Sequence, residues 1–315
     1  MMSDPRVHIE LASLIKLRSQ AQSLQLRSGH ASPTASMGGH RANARGRGIE
    51  FEEVRHYQAG DDVRAIDWRV TARSGKAHTK LFREEKERPV LLLVDQRQSM
   101  FFASRGQFKS VYAAKLAGII CWQSILQGDR VGGVVIGSQG INTIKPARGK
   151  HNALRLLGAI ADQNSQLQNP FHNHTEPSPS LVDGLKNLAA LSKPGSQVVI
   201  ISDGVDMDDE CKSLLWKMRQ HARVDLVQIL DPMEQQLPTG GIVGIGDGSH
   251  RRQIHLGNTS QRQAVEKQLQ QQQQEVANIC RASNCQHSLF SCDGDIMSDI
   301  HSWLRRPTQR QGRAT

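Results

Sequence analysis

The strongest hydrophobic pattern in the chain is PVLLLVD at positions 89–95, a continuous apolar run that ends in a carboxylate, as a strand buried on both faces requires. Alternating patterns follow it. QFKSVYAAKLAGIICWQSILQ carries helical spacing, DRVGGVVIG reads as a strand, INTIKP as an edge strand and HNALRLLGAIAD as a helix. A helix over SLVDGLKNLAALS, a strand over SQVVIISDG, a helix over DDECKSLLWKMRQHA and a strand over RVDLVQILD complete the series. This alternation predicts an α/β domain with a mostly parallel sheet, right-handed crossovers and sites at the carboxyl ends of the strands. Beyond Asp231 the pattern predicts a hairpin from IVGIGD and RRQIHLG, a long polar helix around QRQAVEKQLQQQQQEVANICRAS, and a final helix, DIMSDIHSWLRR, ending before Pro307.

Upstream of the run, HIELASLIKLRSQAQSL has amphipathic helical spacing, and SGHASPTASMGGHRANARGRG reads as a Gly/Ser/Ala-rich basic linker. IEFEEVRHY and KAHTKLFREEKE are strand-like. Between them lies GDDVRAIDWRVTAR, in which Ile66, Trp68 and Val70 alternate and predict a strand starting near Ala65. The expected organisation is an N-terminal helix, linker and extension over 1–88, the α/β domain over 89–304, and a disordered basic tail over 305–315.

Composition narrows the function classes. The 315 residues carry a formal charge of +10, with excess arginine at Arg41, Arg45 and Arg47 and in a tail containing Arg305, Arg306, Arg310 and Arg313, which reads as solvated ends. Only 4% of residues are aromatic, leaving few stacking platforms, so nucleic acid is a disfavoured partner. No apolar run approaches the ~20 residues of a membrane helix, no secretory signal is visible, and the expected location is cytoplasmic. Five cysteines, an odd number, fit reduced thiols. Cys280, Cys285, His287 and Cys292 are zinc-type ligands without the close cysteine pairs of structural zinc sites.

Two strand ends could carry chemistry. Asp95 closes the first run and Asp203 follows VVIIS, so a parallel sheet places both at the same edge, where paired carboxylates can hold Mg²⁺. The bland alternative is that each caps the following turn. A metal-dependent hydrolase using Asp95 and Asp203 lacks a convincing nucleophile and base. Cys121 sits in an apolar helical pattern, and His172 and His174 have no evident partner. GRGIE and GGIVGIGDG lack the Gly-Lys-Ser/Thr of a phosphate loop.

VLLLVDQRQSM and IISDG resemble the von Willebrand factor type A fold, and GRGIEFEEVRHYQAGDDVRAIDWRVTARSGKAHTKLFREEKE resembles the signature of the bacterial domain-of-unknown-function 58 family. The resemblance covers roughly Gly46 to Asp231. It implies a type A domain, in a cytosolic or membrane-tethered protein, often encoded beside MoxR-like AAA+ ATPases. It also implies a metal-ion-dependent adhesion site, onto which Asp95, Ser99 and Asp203 map. Arg97 stands where a metal-binding Ser is expected, and Pro179, flanked by Ser178 and Ser180, where a Thr is expected. Arg97 therefore either replaces the ion, since a guanidinium bonds carboxylates but cannot coordinate a cation, or turns to solvent.

The signature block mixes Arg55, Tyr57, Asp61, Asp62, Arg64, Asp67, Trp68 and Arg73 more densely than a solvated charge run does. Pairing within the block is expected, yet buried ion pairs add little net stability. The expected role is to bind a partner or to anchor the extension. The resulting expectation is a non-enzymatic, protein-binding adaptor that works with a MoxR-like AAA+ ATPase on a client complex, with a hydrolase or a nucleic-acid binder as alternatives.

Overall fold

The computed structural model describes residues 4–24, 49–58, 61, 63–84, 88–167, 178–246 and 251–305. In chain order its elements are α1 (Leu11–Ser23), β1 (Ile49–His56), α2 (Trp68–Ser74), β2 (His78–Glu84), β3 (Pro89–Gln96), α3 (Lys109–Leu126), β4 (Arg130–Gly137) and β5 (Ile141–Ala147). There follow α4 (Lys150–Gln166), α5 (Leu181–Leu191), β6 (Gln197–Ser202), α6 (Asp209–Arg219), β7 (Arg223–Leu230) and α7 (Pro232–Gln235). The last elements are β8 (Ile242–Gly246), β9 (Arg251–His255), α8 (Thr259–Ala282), β10 (Gln286–Ser291) and α9 (Ile296–Arg305). They form two compact units, residues 31–87 and residues 1–30 with 88–315.

The larger unit is an α/β fold on a six-stranded sheet in the order β10-β7-β6-β3-β4-β5. Five strands are parallel, and β5 runs antiparallel along one edge, as INTIKP predicts. Because side chains alternate across a strand, Val90, Leu92 and Val94 of β3 enter one apolar layer, and Leu91 and Leu93 enter the other. The chain leaves β3 toward β4 and β5, then returns to place β6 on the other side of β3. That reversal makes the carboxyl ends of β3 and β6 the topological switch point, where open α/β sheets place their ligands.

Three elements differ from the sequence pattern. The first helix does not group with the extension: Leu14 and Ala21 of α1 are fully buried in the core of the larger unit, and the Trp122 indole donates to the Leu14 carbonyl at 2.9 Å. Strand β10 was not expected, because QHSLFS buries only Ser288 and Phe290 and leaves Leu289 52% exposed. The strand expected near Ala65 is instead a 3₁₀ turn, Val63–Ala65, followed by α2; Ile66 alone keeps a bridge, to Thr79. The Asp67 carboxylate decides this, accepting from the backbone N–H of Arg69 at 3.0 Å and of Val70 at 3.2 Å as an N-cap. Five alternating residues carry less structural information than that cap.

The smaller unit is the antiparallel pair β1–β2 with the turn and α2 between its strands. Two strands and a two-turn helix bury little, and Thr79 is the buried residue among its described side chains. The basic linker, His172, His174 and the tail beyond Arg305 lie outside the described residues.

Candidate functional site

Asp95 is the penultimate residue of β3, and Asp203 directly follows β6, so the sheet brings both carboxylates to its switch point. Asp95 is fully buried and fully bonded. Its Oδ1 accepts from the Arg97 backbone N–H and Nε, each at 3.0 Å, and its Oδ2 from Arg97 NH2 at 2.8 Å and the Ser202 hydroxyl at 2.7 Å. The bidentate geometry leaves the Arg97 side chain 9% exposed, turned inward. Its NH1 donates to Asp206 Oδ2 at 2.7 Å, so one guanidinium spans two carboxylates. Burial works against the Arg97 charge, but Asp95 and Asp206 outweigh it and raise its pKa.

Asp206 occupies the left-handed region at φ 64°, which Asp tolerates better than most residues. This conformation lets Oδ2 accept also from the backbone N–H of Leu181, 3.3 Å away at the start of α5. Ser180 caps that helix in a reciprocal box with Asp183. The Pro179 region thus supplies a helix cap beside the site. Ser99 Oγ is shielded from solvent and has no hydrogen-bond partner among the described residues.

Asp203 meets a second cation. Lys109, the first residue of α3, is 2% exposed and donates from Nζ to Asp203 Oδ2 at 3.1 Å and to Glu234 Oε1 at 2.8 Å. A cation at a helix N-terminus opposes the helix dipole, and burial opposes the charge further; Asp203 and Glu234 overcome both and raise the lysine pKa. Glu234 is held by the capping box of α7, its Oε2 accepting from the Asp231 N–H at 2.7 Å. Asp231 in turn fastens the loop before α3, accepting from the Ser104 N–H at 2.6 Å and hydroxyl at 2.5 Å.

Sequence reasoning named Asp95, Arg97, Ser99 and Asp203 and missed Ser202, Asp206, Lys109 and Glu234. Only the D-P-M-E pattern at 231–234 announces itself locally, as a capping box. Lys109 gives no local signal, since its partners lie 94 and 125 residues away.

In the signature block, Arg55 NH2 bonds Asp61 Oδ1 at 2.7 Å, and Asp61 Oδ2 accepts from the Gln58 N–H at 3.0 Å. Asp67 serves as the helix cap, and Tyr57 is half-buried with its N–H on the Ala77 carbonyl at 2.8 Å. Trp68 is 68% exposed and Val63 57%, with Arg64, Arg69 and Arg73 exposed around them. Asp62 lies outside the described residues.

No cluster of three or more metal-ligating His, Cys, Asp or Glu residues occurs among the described residues. His287 instead shares a hydrogen bond with Gln228 Oε1 at 3.0 Å, and the Cys292 thiol donates to Asp231. All five thiols are free, and burial pushes Cys121, Cys211, Cys280 and Cys285 up to about 12, far from nucleophilic. No helix among the described residues is long and apolar enough to cross a membrane.

The profile of a family described as "Protein of unknown function DUF58" matches residues 53–275. An uncharacterized protein of Mycobacterium tuberculosis is 28% identical over 207 residues, and one of Mycobacterium bovis matches equally. Each match spans 64% of this chain and 61% of the relative, so the chain covers under two thirds of the curated relatives it matches. Among solved structures, an aerotolerance-related membrane protein from Bacteroides fragilis, with multiple mutations to serines, is 13% identical with a TM-score of 0.38, over 69% of this chain and 98% of that one. The VWA domain of SpRpn10 is 13% identical with a TM-score of 0.37, over 69% and 95%.

Proposed function

The chain belongs to the DUF58 family, and from its geometry we propose that it is a non-enzymatic adaptor whose signature block docks a MoxR-like AAA+ ATPase for assembly or remodelling of a client complex. One observation carries this reading. Trp68 and Val63 stand exposed among Arg64, Arg69 and Arg73, on a unit too small to bury them itself. An aromatic anchor with arginine around it is the composition that dominates interface energetics. The internal pair Arg55–Asp61 and the Asp67 cap shape the surface, while Trp68 and the exposed arginines form the contact.

The carboxyl edge of the sheet supports a binding role over a hydrolytic one. Asp95 and Asp203 are each held by a side-chain cation, so neither is placed as a general base, and four of the five thiols are buried. We therefore read Asp95, Ser99 and Asp203 as a degenerate adhesion site. The partner follows from the family resemblance. Calorimetry between the full chain and a MoxR-like ATPase from the same genome, with and without an ATP analogue, tests the proposal. Association that Arg64→Ala weakens at unchanged Tm supports it, and absence of association in both nucleotide states overturns it.

A further inference from the structure

At the switch point Asp95 and Asp206 share one side-chain cation and Asp203 and Glu234 share another, and carboxylate oxygens are the ligands a hard divalent cation takes. The donor set nevertheless does not fit the ion that the type A resemblance implies. Both Asp95 oxygens are engaged twice, by Arg97 and Ser202. Asp203 Oδ2 and Glu234 Oε1 share the Lys109 ammonium, while Asp203 Oδ1 takes the Val205 N–H at 3.1 Å and Glu234 Oε2 the Asp231 N–H. A divalent ion would have to expel two buried cations or sit against them, and repulsion between like charges is strong where water is excluded. The shielded Ser99 hydroxyl is the one neutral oxygen left without a partner among the named positions, and a single hydroxyl does not make a site.

We propose that Arg97 and Lys109 are resident cations that together take the place of a metal ion, Arg97 at Asp95 and Lys109 at Asp203, so that this edge is assembled without divalent metal. Lys109 is decisive. Arg97 pairs with Asp95 and Asp206, and Lys109 is the side-chain cation that pairs with Asp203 and Glu234; without Lys109 that half would stand open to an ion. The inference concerns the sheet edge alone and does not depend on the identity of the partner.

Mn²⁺ titration of the full chain, read by the loss of the free-ion electron paramagnetic resonance signal, tests it. The wild type is expected to leave the signal unchanged up to about 1 mM, the weak end of protein sites for hard cations. Arg97→Ser with Lys109→Met is expected to bind Mn²⁺ at least about tenfold more tightly than wild type, with a rise in Tm on adding the ion, and to lose both when Asp203→Asn is added. Stoichiometric Mn²⁺ binding by the wild type that disappears in Asp203→Asn overturns the proposal, and this arm needs no variant that lacks the cations. A folded double variant that stays silent to Mn²⁺ overturns it as well.

Discussion

Lys109→Met removes the more enclosed of the two cations at the sheet edge while nearly preserving side-chain volume. In the native protein the ammonium is shared by Asp203, 2% exposed, and Glu234, 23% exposed. Once it is gone, Glu234 can regain water, but Asp203 remains a buried carboxylate with its charge uncompensated. Breaking a buried pair by removing one partner costs about 3–5 kcal/mol, mostly the desolvation of the charge left behind. For a unit of this size about 2–4 °C of Tm accompanies each kcal/mol, so a fall of roughly 6–20 °C is expected. Urea unfolding followed by tryptophan fluorescence, with Trp122 and Trp303 buried in the same unit, measures the free-energy loss, and thermal unfolding the fall in Tm. Asp203→Asn in the Lys109→Met background should restore part of the loss, giving a coupling energy of roughly 0.5–3 kcal/mol in a double-mutant cycle. Lys186→Ala, which breaks the exposed pair with Glu210, is the control and should leave stability nearly unchanged. A Lys109→Met loss below about 1 kcal/mol, or strict additivity with Asp203→Asn, would refute the claim that this lysine holds the edge together.

A Cβ built on Gly133 would lie 2.0 Å from the Leu92 carbonyl oxygen, at the bulge where β4 meets β5, so Gly133→Ala is expected to cost at least about 1–3 kcal/mol in urea unfolding. With thiols pushed up to about 12, only about one in ten thousand is thiolate at pH 8, so the native chain should resist a disulfide reagent, label about tenfold faster per pH unit above that, and expose all five thiols in denaturant. A native thiol reacting at the rate of free cysteine would contradict the burial.

How much of this was legible in the sequence depended on whether the deciding interaction is local. The buried strands β3, β4, β6 and β7 announced themselves as apolar runs, and the two acidic strand ends could be placed at one edge from the alternation alone. Strand β10 escaped because an edge strand that fully buries only Ser288 and Phe290 carries no such run. Helix α2 was mistaken for a strand because Ile66, Trp68 and Val70 alternate, while the Asp67 cap that starts the helix spends its information on two backbone N–H groups. At the site, Arg97 was readable two residues from Asp95. Lys109 was not, since it looks like the polar start of an apolar helix until the fold brings Asp203 and Glu234 to it.

The most direct test of the proposed function is the affinity of Trp68→Ala for the MoxR-like ATPase, measured by calorimetry beside its Tm. An anchor that is 68% exposed in the free chain and buried in the complex should lose at least about 2 kcal/mol on truncation, roughly a thirtyfold rise in Kd, with Tm nearly unchanged. Parental affinity in a normally folded Trp68→Ala chain would contradict the assignment of this block as the docking surface.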